Sequence, residues 1–413
     1  MPTATSLGLP DVRGRLPLLA GLAIDSFGAG IAAPLLLLFF TRVADIPLGT
    51  AGVALSVANL FTLVAPAVVG QVIDRIGPRN LIIGSQVAQA VAFAGLLFAR
   101  SLGLLFFCAL VASMGQRVFW SSIFSLLSDI STPVDRDRWF GLSGMMQATG
   151  FGLGTLAAGM LLTFHGSAPF LIAMAVNAIS FVVAGFLLSR IHVDHDPKAA
   201  AENGPAPLLR RDRPFLILIA ANTVLALCMM LLGVGLPVYV AEALPVPVWL
   251  VGVLMATVSV VLATGQTLVV RHTENRRRTL VLVVAAGLWA LWGLVMSSLL
   301  HVPTALVVPA LIVATLIFAA ADVLHAATSN ALAAAAAPVI GRGKYLSYWQ
   351  YSFTLAGAIA PAFFAQLFDR SPELPWLGIS LLAVLAGLTI LILERVLPTE
   401  AVRRPAPAAD QAD

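Results

Sequence analysis

Charge is scarce in this chain: Asp, Glu, Lys and Arg make up 11% of its 413 residues, against roughly a quarter in an ordinary soluble domain. So few charges cannot clothe a water-soluble protein of this length, and a soluble globular class is excluded. Cysteine is nearly absent. Cys108 and Cys228, the only two, lie inside apolar stretches, which excludes a disulfide framework. No His- or Cys-rich cluster has the spacing of a ligand set, so no metal is expected. No G-x-x-x-x-G-K-[ST] phosphate loop occurs, so ATP is not a direct energy source and no cofactor is expected. Paired catalytic carboxylates are missing too, and an enzyme is not expected. The basic surplus of +4 is small, and in a membrane chain such a surplus collects in cytoplasmic loops. It does not point to nucleic acid.

What the chain has in abundance is apolar sequence, 59% of all residues. At roughly 20 apolar residues per span, that supplies about twelve membrane-crossing helices. Apolar runs bounded by charges, Pro and Gly place six of them at about 16–40, 50–72, 80–99, 102–127, 139–163 and 168–189. Six more follow at about 214–240, 247–270, 279–299, 304–328, 345–368 and 374–396. The expected organisation is an N-terminus over 1–15, a six-helix bundle over 16–189, a polar linker over 190–213, a second bundle over 214–396 and a disordered tail over 397–413. The first apolar stretch, about 25 residues long, exceeds the ~7–15 of a signal-peptide core and reads as a retained helix. Loop charge sets orientation: 20 basic residues fall on the side shared by both termini, and only Arg42, Arg100 and Arg370 on the other. Basic loops stay cytoplasmic, so both termini are expected inside, in the inner (plasma) membrane.

The two sets of spans are related. Shifted by about 203, Gly30-x-x-x-Pro34 falls on Gly233-x-x-x-Pro237; shifted by 200, Ala51-Gly52-Val53 falls on Val251-Gly252-Val253 and Asp74 on Glu274. Arg136 and Arg138 fall on Arg342 and Lys344 at about 206. Matches in order at nearly one offset indicate a parallel duplication of six helices, a feature of transporter folds.

Between the second and third spans stands Gly70-Gln71-Val72-Ile73-Asp74-Arg75-Ile76-Gly77-Pro78-Arg79. This resembles the G-x-x-x-D-R-x-G-[RK]-[RK] loop of the major facilitator superfamily, with Pro78 standing where the family usually carries a basic residue. Glycines there permit a tight turn. The resemblance implies an all-α membrane fold of twelve helices in two pseudo-symmetric six-helix bundles, working by alternating access. It also implies a gating loop built from Gly70, Asp74, Arg75, Gly77 and Arg79. Two segments resemble the drug:proton antiporter branch. Arg117 resembles its membrane arginine, although Gly115-Gln116 precedes rather than follows it. The fifth span carries Gly150, Gly154 and Gly159 at the spacing of G-x-x-x-G-P-x-x-G-G, with Thr155 replacing the proline and Ala158 one glycine.

Ionisable groups inside a bilayer cost about 2.5–3.5 kcal/mol each on insertion scales, which makes each a functional-site hypothesis. Asp25 lies about nine residues into the first span and Arg117 at similar depth in the fourth, roughly 14–15 Å from the cytoplasmic end. Asp25 is the first candidate proton-coupling residue, with Arg117 tuning it or holding a polar substrate group; the alternative is a static ion pair between the two. Asp322 is the second, with His325 on the same helix face at i, i+3; here the alternative is a hydrated aspartate within two turns of the helix end. Substrate-cavity candidates are Arg117, Gln116, Asn222, His325 and Gln350. Spans one, four, seven and ten line the cavity in the superfamily, which by resemblance favours Asp25, Gln116, Asn222 and Asp322 over Gln86 or Asn177. The aromatic run Tyr345, Tyr348, Trp349, Tyr351 and Phe353 reads as an interfacial belt or a stacking surface for an aromatic ligand.

The expected function is secondary active transport, as proton-coupled efflux of small amphipathic, drug-like compounds. The alternatives are a proton-coupled importer of a small polar solute and, more distantly, a membrane receptor or enzyme. The expected partners are a small-molecule substrate, protons and the lipid bilayer, with the chain acting as a monomer.

Overall fold

The computed structural model describes residues 12, 14–64, 69, 72, 76–99, 101–130, 136–191, 212–273, 276–338 and 342–402. Twelve long helices run through them: α1 (Leu16–Arg42), α2 (Leu48–Phe61), α3 (Pro78–Phe98), α4 (Leu102–Ile130), α5 (Arg136–Leu161), α6 (Ala168–Leu188), α7 (Arg213–Glu242), α8 (Leu250–Thr273), α9 (Arg278–Ser298), α10 (Thr304–Ala336), α11 (Arg342–Phe368) and α12 (Leu374–Leu393). A 3₁₀ turn, Thr62–Val64, prolongs α2, and a short α13 (Thr399–Val402) follows α12. Among the described residues there is no strand.

Nine of these helices are long and apolar enough to cross a membrane, and α2 and α8 contribute shorter apolar segments. The outward surface is greasy. Phe98 is 78% exposed, and Val91, Met160, Ile179, Leu381 and Ile392 are exposed as well. An apolar perimeter of this extent is unfavourable in water but matched to hydrocarbon, and the chain is a multi-pass membrane protein. The polar side chains Gln86, Gln89, Asn177, Asn222, Asp322 and His325 are buried instead.

In the first bundle α1 packs along α5 and α6, α3 along α4 and α6, and α2 on α4. Small residues make the α1–α5 approach possible: a side chain at Gly150 would collide with the carbonyl oxygen of Ala23, one at Gly154 with that of Phe27, and one at Gly30 with that of Phe151. Near the termini, Leu18, Leu22, Ile82, Phe119, Ile123, Leu127, Trp139 and Leu188 close a core. Arg15 donates to the Ile130 carbonyl and lies 5.1 Å over the Trp139 ring. In the second set α9 packs on α10 and α12, with Trp292 edge-on to Trp376 at 5.3 Å and to Phe318 at 4.9 Å.

Compactness does not divide the chain at the linker. One unit comprises Met1–Glu202, Leu231–Ala263 and Ala358–Arg370; the other comprises Asn203–Met230, Thr264–Gly357 and Ser371–Asp413. Helices α7, α8 and α11 therefore each contribute to both. Within the first unit the reason is again close backbone approach: Gly159 meets Gly252 and the Trp249 carbonyl, and Gly52 meets Ala365 and the Pro361 carbonyl.

Three expected boundaries need correction. The tenth helix does not stop at 328 but runs to Ala336, because an alanine run continues it until Pro338, which disfavours helical geometry at Ala337. The tail does not become free at 397: Leu397, Ala401 and Val402 are buried, and the Ala401 carbonyl accepts from Arg278 at 3.0 Å. Residues 403–413 lie outside the described residues, as does most of the linker. At the linker's ends, Ile191 joins the first core, and Asp212 caps α7 by accepting from the Phe215 amide at 3.1 Å.

Candidate substrate and proton-coupling site

Asp25 projects from α1 and accepts a hydrogen bond of 2.7 Å from the Gln86 side-chain amide on α3. Gln86 is fully buried, and its own Oε1 has no partner among the described residues. The expected companion is not there: among the described residues no ion pair joins Asp25 to Arg117, which sits partly buried on α4. The static ion pair is thereby overturned. A neutral amide orients the carboxylate without cancelling its charge. One turn along α1, Gly28 lies against Ser180 and Asn177 of α6. Gln116, next to Arg117, is exposed, and Gln350 on α11 likewise.

The second unit holds a longer chain of hydrogen bonds. The Asn222 amide of α7 donates to Ser352 Oγ of α11 at 2.7 Å, and Ser352 donates onward to the Trp349 carbonyl at 2.7 Å. Asn222 Oδ1 lies 2.9 Å from His325 Nε2 of α10. Because the amide nitrogen is committed to Ser352, Oδ1 is the acceptor and Nε2 carries the hydrogen. The imidazole is enclosed by Trp289 at 5.2 Å and Phe353 at 6.2 Å between ring centroids. Asp322, one turn before His325, is 5% exposed, and its Oδ1 has no hydrogen-bond partner among the described residues. It does not sit within two turns of its helix end. Fourteen residues separate it from Ala336, about 21 Å of helix.

The aromatic run of α11 is internal rather than an interfacial belt at its buried positions. Tyr345 and Trp349 are buried against Phe215, at 4.8 and 6.4 Å, and Trp349 Nε1 donates to Asn330 at 2.9 Å.

Of the gating loop, Gly70, Asp74 and Arg75 lie outside the described residues. Gly77 caps α3 with φ +79°, a conformation that only glycine adopts without strain. Arg79 donates to the Ser189 carbonyl at the end of α6, where the negative end of the helix dipole favours a cation. Gly150 and Gly154 of the fifth-helix motif seat α5 on α1, and Gly159 seats it on α8. The motif thus acts through packing.

At the end of the first unit opposite Arg15, Arg42 and Glu242 form an ion pair of 2.6 Å at the tips of α1 and α7. It borders a depression of about 630 Å³ that also exposes Asp45 and Asp369. Among the described residues no group of three or more His, Cys, Asp or Glu is placed to hold a metal.

The sequence alone favours Gln116 and Asn222 over Gln86 and leaves Ser352 and Trp289 unmarked. Gln86 is one of ten amides in apolar context, and nothing in its spacing separates it from the rest. Trp289 and Ser352 read as ordinary span residues.

Comparison with known proteins agrees with this architecture. The chain is 24% identical over 340 residues to the multidrug resistance protein MdtH of Escherichia coli K12, covering 78% of this chain and 79% of that one. Its fold matches a bacterial homologue of the human lysosomal transporter Spinster, solved inward-facing and unoccupied. The TM-score is 0.76 at 14% identity, with 96% of this chain and all of that one covered. A POT family transporter in complex with a thioalcohol-conjugated peptide gives 0.76 at 14% identity, with 93% and 96% covered. The family model of the Major Facilitator Superfamily matches residues 18–361, and with its twelve helices and duplicated halves the chain belongs to that superfamily of transporters.

Proposed function

We propose that the protein is a proton-coupled exporter of small amphipathic compounds, acting as a single copy in the inner membrane with both termini in the cytoplasm. The observation that carries the coupling is the Asp25–Gln86 contact. This membrane carboxylate is held by a neutral amide and forms no ion pair among the described residues, so its counter-charge is exchangeable and can be either a proton or a cationic group of the substrate. Competition between those two for one carboxylate is antiport. Export is supported by the likeness to a multidrug resistance protein and by the glycine-lined α5, which packs on both α1 and α8. The orientation rests on the 20-to-3 split of loop basic residues.

The test uses proteoliposomes with an imposed pH gradient and ethidium as probe. Wild-type protein is expected to concentrate ethidium against its gradient. Asp25→Asn is expected to lose uphill movement entirely while retaining downhill exchange. Uphill transport by Asp25→Asn at the wild-type level places the coupling elsewhere; accumulation that requires protons to travel with the solute identifies an importer.

A further inference from the structure

Two concavities of the first unit meet at Gly49, in the first turn of α2. One is the depression of about 630 Å³ beside the Arg42–Glu242 ion pair, with Ile46, Leu48 and Phe368 in its wall and the carboxylates of Asp45 and Asp369 open to it. The other is a groove of about 540 Å³ between α2, the start of α4 and the end of α11, with Val53, Val57, Leu102 and Phe106 as apolar lining and Thr50 and Gln366 as polar lining. Leu48 borders the depression and Thr50 the groove; on α11, Asp369 borders the depression and Gln366, one turn earlier, the groove. Between them the Gly49 carbonyl accepts from Gln366 Nε2 at 3.2 Å, and a side chain at Gly49 would collide with Asp369 Oδ2. The groove and the depression therefore share one threshold, made of Gly49, Gln366 and Asp369.

The two sides of this threshold differ in character. Val53, Val57 and Leu102 are exposed on the apolar perimeter, and nothing among the described residues lies within 4 Å of a side chain placed at Gly103 in the groove lining. A hydrocarbon or aromatic body in the bilayer can enter there without displacing a helix. Across the threshold, Asp45 and Asp369 are exposed and form no ion pair among the described residues. Arg42, the cation in the lining of the depression, is taken up by Glu242 and the Ala241 carbonyl. An apolar groove that ends at an unpaired carboxylate complements a molecule with an apolar body and a cationic head. An anionic amphiphile would be repelled by both carboxylates, and a neutral one would gain nothing from them.

We infer that the groove and its threshold form a binding site for an amphipathic organic cation, with the apolar body between α2, α4 and α11, the charged head at Asp369 and Asp45 as a further counter-charge. The site is distinct from Asp25, which lies 17 residues before Arg42 on α1, about 25 Å of helix. Its role rests on the reading of the chain as an exporter: it is where the exported cation passes between protein and bilayer at the end opposite Arg15. Binding there does not require that reading.

The test uses full-length protein in dodecyl maltoside micelles at one fixed pH. Cys108 and Cys228 are buried, so the unsubstituted protein gives the background, and Thr50→Cys places a thiol at the threshold. Its rates with a trimethylammonium-ethyl methanethiosulfonate and with the neutral methyl reagent are compared, each relative to its rate with a small thiol in solution. The ratio is expected to favour the cationic reagent by about tenfold and to fall toward one in Thr50→Cys/Asp369→Asn. Preloading with dodecyltrimethylammonium is expected to slow the neutral reagent, whereas dodecanol at the same loading leaves it unchanged. Gly103→Leu, which fills the groove, should abolish that protection. Leu102→Cys, inside the groove, repeats the protection measurement, so a folding defect in Thr50→Cys does not decide the outcome. The inference is overturned if the rate ratio survives Asp369→Asn, if dodecanol protects as well as the cation, or if Gly103→Leu leaves protection intact. Failure of ethidium export with these results in place removes the exporter and keeps the site; ethidium export without them removes the site and keeps the exporter.

Discussion

The two units bury polar groups by different means. In the first, one carboxylate meets one amide, Asp25 and Gln86, in a bundle whose helices touch backbone to backbone through Gly30, Gly150 and Gly154. In the second, Asn222, His325 and Ser352 are chained across three helices, and large rings fill the space around them, with Trp289, Trp292, Trp349 and Trp376 all buried. A duplicated sequence has kept its helix order while its interior has diverged. Small residues bring helices close and leave little room around a polar group. In the second unit aromatic rings share the packing with one close approach, Gly293 of α9 against the Trp376 carbonyl of α12, and Asp322 Oδ1 has no hydrogen-bond partner among the described residues. The comparison teaches that the repeat fixes where helices run and not what they bury.

The sharpest way to break the comparison is at equivalent glycines. Gly30 is crowded by the Phe151 carbonyl and by Gly154, whereas its repeat partner Gly233 has nothing within 4 Å among the described residues. Gly30→Ala is expected to lower stability by about 1–3 kcal/mol through overpacking. Gly233→Ala should be neutral or stabilising by up to ~1 kcal/mol, as alanine is the better helix former. Thermal unfolding of the two variants in detergent checks this; a similar loss in both would show that the bundles are packed alike.

A smaller difference is expected for the buried amides. Asn222→Leu removes partners from both His325 and Ser352 and should cost about 1–3 kcal/mol for the polar groups left buried. Gln86→Leu strands only Asp25, on the more accessible helix face, and should cost less. Melting temperatures of the two variants, measured side by side, test the order, and reversal would mean that the first unit depends on its single contact as strongly as the second does on its chain.

The smallest effect belongs to the rim ion pairs. Arg42 and Glu242 are 43% and 42% exposed, so removing either should change stability by no more than about 1 kcal/mol, less at high salt. In the second unit Glu394 is 19% exposed and also accepts from Thr279 at 2.6 Å besides pairing with Arg277. Glu394→Ala is therefore expected to cost more than Glu242→Ala. Double-mutant cycles for Arg42/Glu242 and Arg277/Glu394 measure the two couplings directly.

Some of this was legible in the sequence and some was not. Scarce charge, long apolar runs and alternating basic loops required a polytopic helical bundle, because backbone polar groups in hydrocarbon must be satisfied within each span. Helix number, the duplication and the depth of Asp25 followed from counting residues along the chain. Helix ends were less secure: α10 runs on to Ala336 because alanines continue it without a breaker, and Val402 is held by tertiary contacts rather than by its own composition. The partners of the buried polar groups were not legible at all. Asp25 meets Gln86, 61 residues away, and His325 meets Asn222, 103 residues away, while Arg117 at matching depth meets neither carboxylate. Depth is set by position along a helix, which sequence records; partnership is set by rotation about the helix axis and by how closely neighbours approach. Those depend on the sum of small-residue and aromatic contacts over the bundle, and only the tertiary structure decided them.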